Sequence, residues 1–250
     1  GPSLESDPRS QSIVGSWKRT MSSTLLNEST LGYNRLHTAR RPHPDVPSTQ
    51  DFGIRLPYFP RIPSVSEIRA DGFFNFGDNL EASFPRDSFQ FNNKTNWIKG
   101  RHGFQFGFEL EYQRSEIYND FRRAGHFISN GQFTRAPGAA SGGNALADFL
   151  LGRLSTFDHG TGEYKNYRNL YQTYYFQDDF KLNDRVTLNF GARYEPIGPW
   201  HDLVGRFQVF DMDAYNKGIK TTQYTDAAPG LFFRGDPGIP EDGTKPDKNN

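Results

Sequence analysis

The 250-residue chain has no cysteine, which excludes disulfide staples, zinc–thiolate sites and thiol nucleophiles and suits an exported protein. Long hydrophobic runs are also missing. No stretch approaches the roughly 18 consecutive apolar residues of a transmembrane helix, so only strands are left as a way to cross a bilayer. Aliphatic residues are too sparse for the buried parallel sheet of an α/β enzyme, and mean hydropathy is −0.77. Charge of one sign is lacking as well: 29 basic residues face 29 acidic ones, and the longest basic run is Arg40-Arg41. No global field attracts a polyanion, so no nucleic-acid partner is expected. Neither a G-x-S-x-G nucleophile elbow nor a phosphate-binding loop occurs, and the Gly138 to Gly143 stretch reads as flexible loop. An enzyme and a cofactor are therefore not expected. Gly1-Pro2-Ser3-Leu4-Glu5 has no charged n-region or apolar h-region, leaving a cytoplasmic chain or one whose beginning has been removed.

What the chain does have is aromatic residues, 23 Phe and 12 Tyr, and much of this content alternates with period two. Phe104, Phe106, Phe108, Leu110 and Tyr112 stand against Gln105, Gly107, Glu109, Glu111 and Gln113. Val186, Leu188, Phe190, Ala192 and Tyr194 likewise oppose Thr187, Asn189, Gly191, Arg193 and Glu195. Each set describes a strand with one apolar face and one polar face. Phe89, Phe91 and Trp97 share a face of a further strand over 88–98, joined to the next through Lys99-Gly100. The Tyr-rich segment 167–180 turns through 181–184, and 12–20 pairs with 25–36 around Met21-Ser22-Ser23. These make three hairpins.

The intervening connections, about 37–87, about 114–166 and from about 196 onward, are far longer than the ~4–6 residues usual in compact domains. One piece of the second, Asn144 to Gly152, reads as a short helix ending at a C-cap glycine. Short turns alternating with long loops on two-faced strands predict an all-β fold, an antiparallel transmembrane β-barrel segment. Unpaired edges cannot persist in hydrocarbon, and the smallest outer-membrane barrels have about 8 strands, so six strands predict part of a larger barrel. The short turns would face the periplasm and the loops the exterior. Two rival readings remain: a passive porin-like or structural outer-membrane protein, and a soluble all-β carbohydrate-binding module with its aromatic faces packed together.

Several stretches in order resemble the Oar-like TonB-dependent receptors of the Gram-negative outer membrane. They are Ser23 to Glu28 with Leu31 to Arg35, Asn96 to His102 with Phe106-Gly107, Asn144 to Gly152, Gln177 to Leu182, and Arg185 to Glu195. The resemblance implies a regulatory-like domain, a plug and a 22-stranded barrel in the whole protein, with residues 1–250 a partial barrel domain. Signal peptide, TonB box, plug and closing strands are expected to lie outside this stretch. It implies nutrient uptake, with outer-membrane lipid, the rest of the barrel and plug, the TonB complex and an unidentified nutrient as partners.

Within that reading Phe104, Phe106, Phe108, Leu110, Tyr112, Val186, Leu188, Phe190, Ala192 and Tyr194 face lipid, while Gln105, Glu109, Glu111, Asn189 and Arg193 face the lumen. The acids Asp178, Asp179, Glu109 and Glu111 are expected on the lumen face, paired with lysine or arginine of neighbouring strands. His37, His43 and Asp45 fit no zinc spacing, and Asp211-Met212-Asp213 lacks the rest of a calcium loop, so no metal site is expected. Trp97, Phe180 and Tyr194 are expected near the short turns as an interfacial girdle. Gly103, Gly107 and Gly191 are expected to permit bends or the close approach of a plug. The loop aromatics Tyr58, Phe59, Phe73, Phe74 and Phe76 are the ligand-binding candidates, by stacking on a sugar, with packing against other loops as the equal alternative.

Overall fold

A computed structural model describes residues 4–77, 80–196 and 198–241. Six long strands form one antiparallel sheet in the order β1 (Leu4–Ser22), β2 (Leu25–Pro42), β5 (Ala82–Lys99), β6 (His102–Asn119), β9 (Glu163–Asn183) and β10 (Val186–Tyr194). The three hairpins are those expected, but five of the strands run well past their predicted ends on the loop side. Alternation fades there because the side chains no longer separate two contrasting surroundings, although backbone pairing continues. The β5–β6 turn is Gly100-Arg101, one residue later than the sequence suggested. Gly100 takes φ +61, the left-handed value a two-residue hairpin uses at its first turn position.

The long connections are also more ordered than their composition implied. They contain β3 (Glu67–Ala70), β4 (Phe74–Phe76), β7 (His126–Ser129), α1 (Ala145–Leu150), β8 (Thr156–Asp158), β11 (His201–Asp202), β12 (Gln208–Phe210), α2 (Met212–Asn216) and β13 (Leu231–Phe233). Helix α1 falls where it was expected, capped by the Asn144 side chain accepting from Ala147 N–H, with Gly152 at φ +64 beyond its end.

The chain divides into two compact units. The first comprises Gly1–Pro8, His37–Phe84 and Ile117–Tyr164. In it β4, β3, β7 and β8 form a small sheet, with β3 and β7 parallel, around buried Ile68, Ala70, Ala124, Ile128 and Ala145. Buried Asp120 ties this unit together: it accepts from the Tyr164 hydroxyl at 2.6 Å and from Arg61 N–H at 3.3 Å, while the Arg61 guanidinium lies 4.0 Å over the Tyr118 ring. Burial, and the adjacent Asp120 carboxylate, push the Tyr164 phenol up.

The second unit comprises Arg9–Leu36, Pro85–Glu116 and Lys165–Asn250 and holds most of the two-faced sheet. Its loop segment is pinned by two buried carboxylates. Asp202 accepts the backbone N–H groups of Asn166, Val204 and Arg206, and Asp236 accepts from Thr221, Thr222 and Phe233. Each thereby satisfies donors that a turn leaves without a ladder partner.

Candidate ligand groove on the polar face

Strand alternation gives the sheet of the second unit two faces, and ring contacts show which residues share each. On one face Tyr33, Phe89 and Tyr112 follow one another across three strands, with centroids 4.9 and 6.5 Å apart. Phe91 meets Phe108 at 5.5 Å, and Phe104 meets Trp97 at 5.6 Å and Phe176 at 5.9 Å. In β9 and β10 the same face carries Phe180 opposite Leu188 and Phe176 opposite Ala192. Nine of the ten residues predicted to face lipid therefore share one face, and Val186 lies across a register shift, opposite Asn183.

The other face is polar. Tyr175 lies opposite Arg193 and Asp179 opposite Asn189, and Glu109 sits close to Tyr175. Gln105, Glu109, Glu111, Asn189 and Arg193 thus share the second face. Glu111 accepts from Ser88 at 2.7 Å and from Gln113 at 2.9 Å instead of pairing with a cation. Gly107 marks close approach: a Cβ there would stand 2.1 Å from the Asn93 carbonyl oxygen and 2.7 Å from the Tyr175 hydroxyl.

Two expectations need correction. Asp178 lies on the apolar face, opposite Phe190, buried, with one oxygen 2.7 Å from His102 Nδ1. The His102 ring stacks on Phe104 and Phe180, at 5.2 and 4.5 Å. Asp178-Asp179 occupies consecutive strand positions, so the two carboxylates must point to opposite sides. Tyr194 lies at the far end of β10 from its hairpin turn, paired with Tyr174, so it belongs to no girdle at the short turns. Trp97 and Phe180 do lie there.

The loop aromatics divide between packed and exposed positions. Phe74 packs edge-on against Phe149 at 5.1 Å and beside Phe76 at 5.8 Å, within the first unit. Tyr58 stacks on His159 at 5.8 Å, and Phe73 is exposed in a turn. Phe74 therefore packs within the loops, while Tyr58, Phe73 and Phe76 remain exposed. His37 bonds Ser83 at 2.9 Å, His43 approaches Asp45 at 3.5 Å, and no potential metal cluster occurs among the described residues.

A better candidate site lies in the second unit, at the loop-side end of the polar face. A cavity of about 720 Å³ is lined by Ser115, Lys165, Tyr167, Trp200, Arg206 and Phe207. Tyr167 and Trp200 meet edge to face at 6.2 Å, and the Lys165 ammonium is 5.8 Å from the Tyr167 ring. Asp202 also borders it, but its carboxylate is already taken by three backbone N–H groups. A second cavity of about 440 Å³ shares Ser115 and Trp200 and adds Asn34, Arg86, Ser88 and Gln113. Aromatic faces with amide, hydroxyl and cationic donors around a concavity are the equipment for a polar ring-bearing ligand. The one signal in the sequence was Tyr167, Tyr171 and Tyr175, aromatics in a row on the polar parity of β9. Trp200 and Arg206 carried no periodic signal, because loop folding brings them in.

The profile of the outer membrane beta barrel domain family matches residues 3–250. The chain belongs to this family. The two-faced sheet is thus a length of outer-membrane barrel wall, and the protein resides in the outer membrane. No curated protein matches the chain. Among solved structures it is similar to the outer membrane transporter YddB from Escherichia coli, with 16% identity and a TM-score of 0.36. That match covers 80% of this chain and 23% of the transporter, so the chain spans about a quarter of its length.

Proposed function

We propose that the chain is barrel wall of a TonB-dependent receptor that imports a nutrient, and that the polar-face groove helps to capture the ligand. The observation that carries this reading is strand length coupled to folded loops. Strands β2, β5 and β6 have 18 residues each and β9 has 21, whereas about 9–11 residues cross a bilayer. The apolar stripe of β6 occupies only Phe104 to Tyr112, so the remainder of each strand rises beyond the hydrocarbon on the loop side. The long connections fold into a small sheet of their own. A passive pore has no need of such a structured outer portion, whereas a receptor that captures a dilute ligand does. In this reading the chain performs no chemistry. Its partners are outer-membrane lipid, the rest of the barrel, an internal plug, the TonB complex and the nutrient.

The test uses the complete gene product. A plugged, energy-coupled receptor inserted into a planar bilayer should show no steady conductance, and its uptake in cells should stop when the proton gradient is collapsed. A constant open conductance, or uptake indifferent to the gradient, would establish the passive channel in its place. Within the receptor reading, Trp200→Ala and Lys165→Gln should each weaken ligand binding without changing folding yield.

A further inference from the structure

The apolar stripe ends on the loop side in a row of charges. Arg35 stands two residues beyond Tyr33, Asp87 two before Phe89, and Arg114 two beyond Tyr112, so alternation keeps all three on the apolar face. Arg168 stands two before Leu170, which lines an apolar hollow with Leu31, Tyr33, Phe89 and Tyr112. Arg168 also bonds Glu116 at 3.2 Å, and Arg114 approaches the same Glu116 oxygen at 3.4 Å. The Tyr33 hydroxyl donates to Asp87 at 2.9 Å, and Arg35 lies 3.9 Å from that carboxylate. Three guanidiniums therefore share two carboxylates, and the side chains of Arg35 and Arg114 remain 44% and 40% exposed.

The placement gives this surplus a meaning. Tyr33, Phe89 and Tyr112 form a continuous aromatic row, the type of residue that settles at a membrane interface. On β6 the stripe from Phe104 to Tyr112 is nine residues, about 30 Å along the strand and about 23 Å along the normal at ~40° tilt, close to the ~25 Å band of such barrels. The next outward-facing position beyond that row meets lipid headgroups. Arginine there binds phosphate by paired N–H donors, and a neighbouring carboxylate holds the guanidinium in place without cancelling it.

We propose that Arg35 and Arg114, with the largely buried Arg168 holding Glu116 behind them, form a binding site for the phosphate groups of a phosphorylated glycolipid in the outer leaflet, with the Tyr33–Phe89–Tyr112 row against its acyl chains. This rests on the apolar face being the lipid-facing one, which arginine substitutions along Phe104 to Tyr112 test independently.

The experiment measures lipid retained by the purified full-length protein, by mass spectrometry after exchange with bis-phosphorylated lipid A or its enzymatically dephosphorylated form. Wild-type protein should retain the phosphorylated lipid and release the other. Arg35→Gln combined with Arg114→Gln should lower retention about tenfold or more, the loss expected for a charge-assisted contact. Arg193→Gln, on the polar face, should leave it unchanged. Equal retention of the two lipids by wild-type protein would overturn the site whether or not the variants fold. So would wild-type retention by the double variant, or displacement of the lipid by millimolar inorganic phosphate.

Discussion

Arginine substituted along the Phe104 to Tyr112 stripe should destabilise the barrel in a depth-dependent way, with the maximum at Phe108. This residue is the centre of the nine-residue stripe and so lies nearest the bilayer midplane. An arginine at the midplane of a barrel's lipid face costs about 2–4 kcal/mol, falling to about 0–1 near the interfaces. Phe108 also makes an edge contact with Phe91 at 5.5 Å, and losing it adds about 0.5–1.5 kcal/mol. Phe108→Ala loses the ring contact but brings no charge, so the difference between the arginine and alanine variants isolates the membrane term. That difference should be about 2–4 kcal/mol, roughly a 30-fold to 1000-fold change in the folding constant. Gln105→Arg, on the polar face, should cost much less. The assay is urea titration of the complete protein refolding into phospholipid vesicles, followed by tryptophan fluorescence. Equal costs at Phe108 and Gln105 would refute the orientation of the sheet. A cost rising steadily from Phe104 to Tyr112 would refute the placement of the midplane.

Gly107→Ala should destabilise the wall by about 1–3 kcal/mol, since its Cβ would meet the Asn93 carbonyl and Tyr175, whereas Gly15→Ala, with open space around it, should be neutral; the same titration compares them. Tyr164→Phe should leave a buried Asp120 oxygen without its 2.6 Å donor and loosen the first unit by about 1–3 kcal/mol, seen as faster proteolysis within 120–160 and an unchanged barrel transition. Burial pushes the Asp236 carboxyl up, but donors from Thr221, Phe233 and Thr222 outweigh it and hold it at about 2, below the ordinary 3.8. Its folded value being depressed, Asp236 stabilises its loop above about pH 4 and loses that contribution as pH falls through 2. Pepsin should therefore cut 217–241 faster at pH 2 than at pH 3.5, and Asp236→Asn should remove most of that difference. Protease added to intact cells should cleave in the exposed 138–143 loop and spare Gly100-Arg101, while the reverse pattern would invert the topology.

Local pattern determined the hairpins, their two faces and helix α1. Period-two alternation is a property of consecutive residues, so Phe104 to Tyr112 and Val186 to Tyr194 declare their faces before any partner is known. The same reasoning failed wherever a neighbouring strand or loop supplied the deciding contact. Alternation alone forbids Asp178 and Asp179 from both facing the lumen, but the partner that accommodates Asp178 on the apolar face, His102, is 76 residues away and is a neighbour only through strand pairing. Tyr194 needed no structure to be placed: it ends the nine-residue strand that starts at the 181–184 turn, so residue count alone puts it at the far end. The groove was invisible because Ser115, Tyr167 and Trp200 come from separate segments, and a cavity exists only once those segments meet. Phe74 and Phe76 looked available for a ligand because composition cannot show that Phe149 lies against Phe74. The chemistry of each residue is written in the chain. Which chemistries meet, and at what depth in the membrane, is decided by strand register and loop packing.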